Sequence, residues 1–115
     1  MQYSCGICYA FYPVDLHVMQ GIQNAYSEKW LVPTVPYRAI VPKGADRILV
    51  PGRSVSSDTN ANSGLRVQAA CMARGQAAGC AAAIAACEEI SVLSVEYNEL
   101  CKKLKKIGAI VPQKQ

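Results

Sequence analysis

The pattern of apolar and polar positions changes period several times along the chain, and each change marks an element. Near the N-terminus Tyr3, Ile7, Tyr9, Phe11 and Tyr12 favour extended backbone, which Pro13 closes. Val14-Asp-Leu-His-Val-Met19 alternates apolar with polar positions, the period of a short strand. Residues 20–32 mix Gly21, Asn24 and Ser27 with apolar positions and predict a loop. Pro33 and Pro36 frame an extended segment leading into Tyr37-Arg-Ala-Ile-Val41, and Pro42-Lys-Gly-Ala-Asp46 predicts a turn. Ile48-Leu49-Val50 is short and wholly apolar, which predicts a strand over 47–51 buried on both faces.

Helical periods take over beyond the polar run Ser54–Ser63, itself composed of loop-forming residues. A long helix is predicted from Leu65 to Cys87, capped by Asn62 or Ser63. Gly75, Ala78, Gly79, Ala82, Ala83 and Ala86 recur at helical spacing, a smooth stripe along which a neighbour can pack closely. A second helix is predicted over Val95–Ile107, capped by Ser94 and ended by Gly108. Its apolar stripe is Tyr97, Leu100, Leu104 and Ile107, with lysines on the other side. The fold class is therefore α/β or α+β, a few short strands followed by a long Ala/Gly-rich helix and a short C-terminal one. Within one unit, 1–46 form a strand and loop segment, 47–87 a strand-loop-helix motif, and 88–115 the last helix and tail.

A length of 115 residues suits a single domain, and 51% hydrophobic with 17% charged residues argues against disorder. The net charge of +4 is concentrated near the C-terminus, at Lys102, Lys103, Lys105, Lys106 and Lys114. Without interleaved aromatics, that pattern predicts a solvated helix face and no nucleic-acid partner. No run of about 20 apolar residues predicts a membrane span. A signal peptide is not expected, because no basic segment precedes the first apolar run and Asp15 soon follows it. Of six cysteines, Cys5 and Cys8 form a C-x-x-C, but no second close pair predicts a metal site. Cys71, Cys80 and Cys87 fall roughly on one helix side, as small buried hydrophobes. Reduced cysteines suit a cytoplasmic setting.

Four segments in order carry a resemblance: Pro36-Tyr-Arg-Ala-Ile-Val-Pro-Lys-Gly44, Ile48-Leu-Val-Pro-Gly-Arg53, Leu65-Arg-Val67 and Cys71-Met-Ala-Arg-Gly-Gln-Ala-Ala-Gly79. Together they resemble the C-terminal region of FAD-dependent oxidoreductases of the glutathione-reductase-like fold, from about Tyr12 to about Gly108. The resemblance implies FAD as cofactor. It implies that Gly52, Arg53 and Ser54 meet the ribityl and diphosphate part, and that Arg66, Val67 and Gln68 at a helix start meet the flavin ring. Unpaired N–H groups and the partial positive charge of that helix end would stabilise electron density reaching the ring. Arg53 would give charge-assisted bonds to diphosphate. Gly75 and Gly79 read as packing glycines. Asp15 and His17 also resemble a family pattern, and with Arg66 they are the catalytic candidates, His17 being the only imidazole.

Equally informative is a missing motif. The eight glycines, at 6, 21, 44, 52, 64, 75, 79 and 108, include no G-x-G, so the dinucleotide fingerprint of the family is not in this chain. The expectation is a C-terminal piece of a longer oxidoreductase, or the product of a truncated gene, holding FAD weakly or not at all when alone. Its partner would be an N-terminal FAD-binding segment or another copy of the chain, with self-association expected from open strand edges. Several positions depart from the family pattern. Ser54 stands where relatives often have Cys, the Asp58-Thr-Asn-Ala-Asn run replaces a His-Glu pair, Pro51 replaces a small residue, and Gln68-Ala69-Ala70 replaces a more apolar triplet containing proline. These changes bear on the substrate, whose identity the sequence leaves open. Two other readings compete: a small non-enzymatic module that binds through its small-residue stripe, and a thiol redox protein built on Cys5 and Cys8.

Overall fold

The computed structural model describes residues 3–11, 14–18, 21–25 and 32–113; within 14–18 and 21–25 it describes the backbone only. Four strands and three α-helices follow in order: β1 (Gly6–Tyr9), β2 (Val14–Val18), β3 (Gly21–Ala25), β4 (Thr34–Pro36), α1 (Thr59–Leu65), α2 (Gln68–Cys87) and α3 (Tyr97–Lys106). Short 3-10 turns occupy Tyr37–Ile40, Gly52–Ser54 and Val92–Ser94. The strands form two antiparallel pairs, β1 with β4 and β2 with β3. All the described α-helices follow all the described strands, so the expected mixed class holds, in the α+β arrangement.

The core lies where β1, β4 and α3 meet one face of α2. That face carries Ala70, Ala77, Ala78, Ala81, Ile84 and Ala85, against Ile7, Cys8, Val35, Ile40, Leu100 and Leu104. Small side chains keep α2 close to the strand, and the larger residues of β1 and α3 fill the space. Two tyrosines tie the layers together. Tyr97 Oη donates to Gly6 O at 2.8 Å, and Tyr37 Oη donates to Val92 O at 2.9 Å. In the β1–β4 pair a bulge falls between Gly6 and Cys8, and a Cβ at Gly6 would meet Thr34 Cβ at 2.9 Å. Thr34 in turn holds Tyr3 N through its hydroxyl, at 2.8 Å. This glycine therefore serves close approach.

Several expectations are corrected. Residues 47–51 form no strand: one ladder-like bond, Val50 N to Ile40 O at 2.8 Å, reaches them, and Ile48 is 57% exposed. Pro51 lacks an N–H, and no flanking strand is available to pair with three residues. Of the predicted strand only Leu49 packs on the core. Residues 21–25, taken as loop, are β3, because Asn24 and Gln23 pair directly with Asp15 and Leu16 of β2. Tyr37–Ile40 turns as a 3-10 helix where extended chain was expected, which brings Ile40 to full burial. The polar run is partly helical: Asp58 caps α1 by accepting from Ala61 N at 2.7 Å, a role assigned to Asn62 or Ser63. The predicted long helix is α2, starting at Gln68 instead of Leu65, and α1 is an additional helix set off from it at Arg66–Val67. α3 starts at Tyr97 after Glu96, without a Ser94 cap, and Gly108 follows it with φ of +81° as expected. Its lysines lie on the exposed side, and Ile107 is exposed too.

The stripe of small residues on α2 also turns out differently. Gly79, Ala82, Ala83 and Ala86 face outward, and nothing lies within 4 Å of a Cβ placed at Gly75 or Gly79. Cys71 and Cys80 are half-buried and Cys87 is exposed, so the three are not core residues. The hydrophobic demand of β1 and α3 selects the face with Ile84, leaving the glycines outside. Two substitutions should separate the two kinds of glycine in this chain. Gly79→Ala should raise stability by about 0.5–1 kcal/mol through helix propensity, and Gly6→Ala should lower it through the contact with Thr34. Chemical denaturation midpoints measure both, and a destabilising Gly79→Ala would show that this face is covered.

Candidate functional site

α1 ends at Arg66, which still donates its N–H to Asn62 O at 3.0 Å. Val67 then swings to extended backbone with φ of −69° and ψ of 147° before α2 starts. Two arginines hold this break. Arg53 Nε donates to Arg66 O at 3.2 Å, and Arg74 Nη2 donates to Leu65 O at 2.6 Å. Carbonyls that a continuous helix would consume are thereby satisfied from outside it. The consequence is a second helix N-terminus inside the chain. Val67 gives no side-chain cap, and the first intrahelical bond is Cys71 N to Val67 O at 3.1 Å. The amides of Gln68, Ala69 and Ala70 therefore precede the ladder, with the partial positive charge of α2 behind them.

Beside that helix start, Arg53, Arg66, Val67 and Gln68 line a cleft of about 410 Å³. Four of the six residues the sequence singled out for a cofactor thus share one wall. Gly52 and Ser54 sit in the 3-10 turn that carries Arg53, and this turn packs against α2. Gly52 has φ of +80°, a left-handed corner with open space where a Cβ would point, so turn geometry is what requires glycine here. Arg53 and Arg66 are exposed, and neither has an ion pair among the described residues. A wall with two guanidinium groups and a free helix start, and no carboxylate, can hold an anionic or electron-rich ligand.

A second, larger cleft of about 980 Å³ adjoins the first at Val67 and is lined by uncharged residues, among them Cys8, Tyr9, Phe11, Met72 and Ile110. The catalytic candidates separate: Arg66 is on the cationic wall, and Asp15 and His17 belong to β2, opposite Asn24 and Ile22, with side chains outside the described residues. Met19 and most of the polar segment after β3 also lie outside them. The C-x-x-C does not open a helix. Cys8 is buried within β1 and Cys5 half-buried just before it, which is not the setting of a thioredoxin-type pair. Among the described residues no cluster of His, Cys, Asp and Glu could hold a metal, and no helix is long and apolar enough to cross a membrane.

Arg74 is the residue whose placement the sequence reading missed. Although charged, it is fully buried. The signal was present in its register, since 70, 74, 77, 78, 81 and 85 trace a single helix face.

Uncapped amides beside two arginines form a surface that can accept an anionic group at a helix start. The chain matches the family described as FAD dependent oxidoreductase over residues 2–104, and it belongs to that family. Neither the curated proteins nor the solved structures gave a match.

Burial pushes the Cys8 thiol up to about 11, with Arg74 opposing and Cys71 adding to the rise. Tyr37 and Tyr97 are likewise raised, by burial first and, for Tyr97, by its bond with Cys101 next. Unfolded Cys8 ionises near the ordinary value of 9.0, so above it the unfolded chain binds fewer protons than the folded one. Stability is complete below that value and is lost as pH rises through about 11. Urea midpoints should fall across this window, and Cys8→Ala should remove about 2 kcal/mol of the fall. A midpoint equally pH-dependent in the variant would exclude the buried thiol as the cause.

Proposed function

We propose that this chain is the C-terminal portion of a flavoprotein oxidoreductase of the glutathione-reductase-like kind and supplies one wall of its FAD site. The observation that supports this reading is the cationic cleft at Arg53, Arg66, Val67 and Gln68, set against the start of α2 in a chain of the FAD dependent oxidoreductase family. The donor set fits FAD in kind. Arg53, with Gly52 and Ser54 in its turn, would neutralise and bind the diphosphate and ribityl chain. Arg66, Val67 and Gln68 would place the positive end of α2 at the flavin's pyrimidine edge. Bound FAD supplies a two-electron acceptor for hydride from a substrate C–H or C–N bond.

Four residues cannot enclose a dinucleotide, and the chain has no G-x-G turn to seat a pyrophosphate. The other wall therefore comes from an N-terminal FAD-binding segment or from another copy of the chain. By itself the chain would bind FAD weakly and be inactive. Its region 47–87 is the part that faces the cofactor, with 1–46 and 88–115 supporting it. His17 remains the one imidazole for any acid–base step, with Asp15 on the same strand. A role as a binding module is favoured only by the outward small-residue face of α2.

Purification of the chain from its source, with whatever polypeptide accompanies it, tests the reading. The assembly should carry the visible absorbance of flavin. Arg53→Ala and Arg66→Ala should each weaken FAD binding about tenfold or more, the weight of one charge-assisted hydrogen bond. A colourless assembly that does not quench the fluorescence of added FAD would refute the proposal.

A further inference from the structure

Arg74 is fully buried, and its Nη2 is shared between Leu65 O at 2.6 Å and Cys71 Sγ at 3.1 Å. Its Nε and Nη1 have no hydrogen-bond partner. A buried cation with two vacant donors is costly, and native structures keep such groups for a reason. The guanidinium is a planar fork, and each of its two double-donor edges includes Nη2. An oxygen attached to the sulfur beside Nη2 would therefore lie next to a vacant N–H on either edge. Cys71 is half-buried, in the first turns of α2, near the positive end of that helix. The groups facing it are Arg74 on its own helix and, from β1, the buried thiol of Cys8. No carboxylate among the described residues competes for Arg74.

We propose that Cys71 is a modification site for hydroperoxides, with Arg74 as the built-in receptor for the oxygen it gains. With hydrogen peroxide as oxidant, the Cys71 sulfur attacks one peroxide oxygen and the O–O bond breaks. The sulfur is oxidised by two electrons to a sulfenic acid, and the second oxygen leaves as water with the thiol proton. The new S–O group accepts from the vacant Nε or Nη1, so the product satisfies a donor that the thiol leaves empty. Cys8 is too deeply buried to meet the oxidant, and Cys87, although exposed, has no such receptor. This assignment does not depend on the FAD reading.

The test is a competition within one molecule. The full chain is treated with hydrogen peroxide in the presence of dimedone, and trapped sulfenic acids are located by peptide mass spectrometry. Exposure alone would put Cys87 first; the proposal requires Cys71 to be trapped about tenfold faster, the weight of one hydrogen bond to a charged group. Arg74→Lys keeps the charge but removes the fork, and should slow Cys71 about tenfold while leaving Cys87 unchanged. Trapping of Cys87 at an equal or higher rate overturns the proposal, as does a Cys71 rate indifferent to Arg74→Lys. If that variant loses its helical circular dichroism, the ratio of the two cysteines in the unaltered chain decides.

Discussion

The break between α1 and α2 is the constraint on which the rest of this structure turns. Nothing in Leu65-Arg66-Val67 forbids a continuous helix, since neither glycine nor proline is present. The backbone leaves the helical path because the last carbonyls of α1 have better partners outside it. Arg53 reaches Arg66 O from the 3-10 turn, and Arg74 reaches Leu65 O from one helix further on. Each bond carries a full charge on the donor and is stronger than the neutral backbone bond it replaces. The break creates a helix N-terminus in mid-chain, with Arg53 and Arg66 beside it.

Holding that end in place is the work of the α2 packing face. Ala70, Ala77, Ala78, Ala81 and Ala85 have little side-chain entropy to lose, and they let β1 and α3 approach closely. Tyr97 and Tyr37 then tie α3 and the Val92–Ser94 turn to the same end of the β1–β4 pair, where Gly6 lies opposite Pro36, each through one hydrogen bond. The cleft is therefore shallow but anchored. Its wall combines the start of α2 with a turn held by an arginine.

Arg74 has two functions that pull against each other. Its bond to Leu65 O stabilises the break, yet burial of the whole side chain leaves Nε and Nη1 without acceptors. Replacing it with an apolar residue would relieve the desolvation and lose the helix break at once. A cation thus sits on a face otherwise made of alanines and Ile84.

How much of this was legible in the sequence differs element by element. Local chemistry fixed what local chemistry controls: the turn at Gly44, Gly108 closing α3, the strand at 14–18, and the Leu100 and Leu104 stripe. These depend on φ preferences, on alternation or on short sequence distance, which a single chain displays. Tertiary structure alone decided which face of α2 was buried, because two faces rich in small residues look alike until Ile84 and the partners on β1 choose one. It also denied a strand to Ile48-Leu49-Val50, since a strand exists only when a neighbour supplies the ladder. It buried Arg74 and set the break between α1 and α2, since both require a donor and a carbonyl that the chain brings together only by folding.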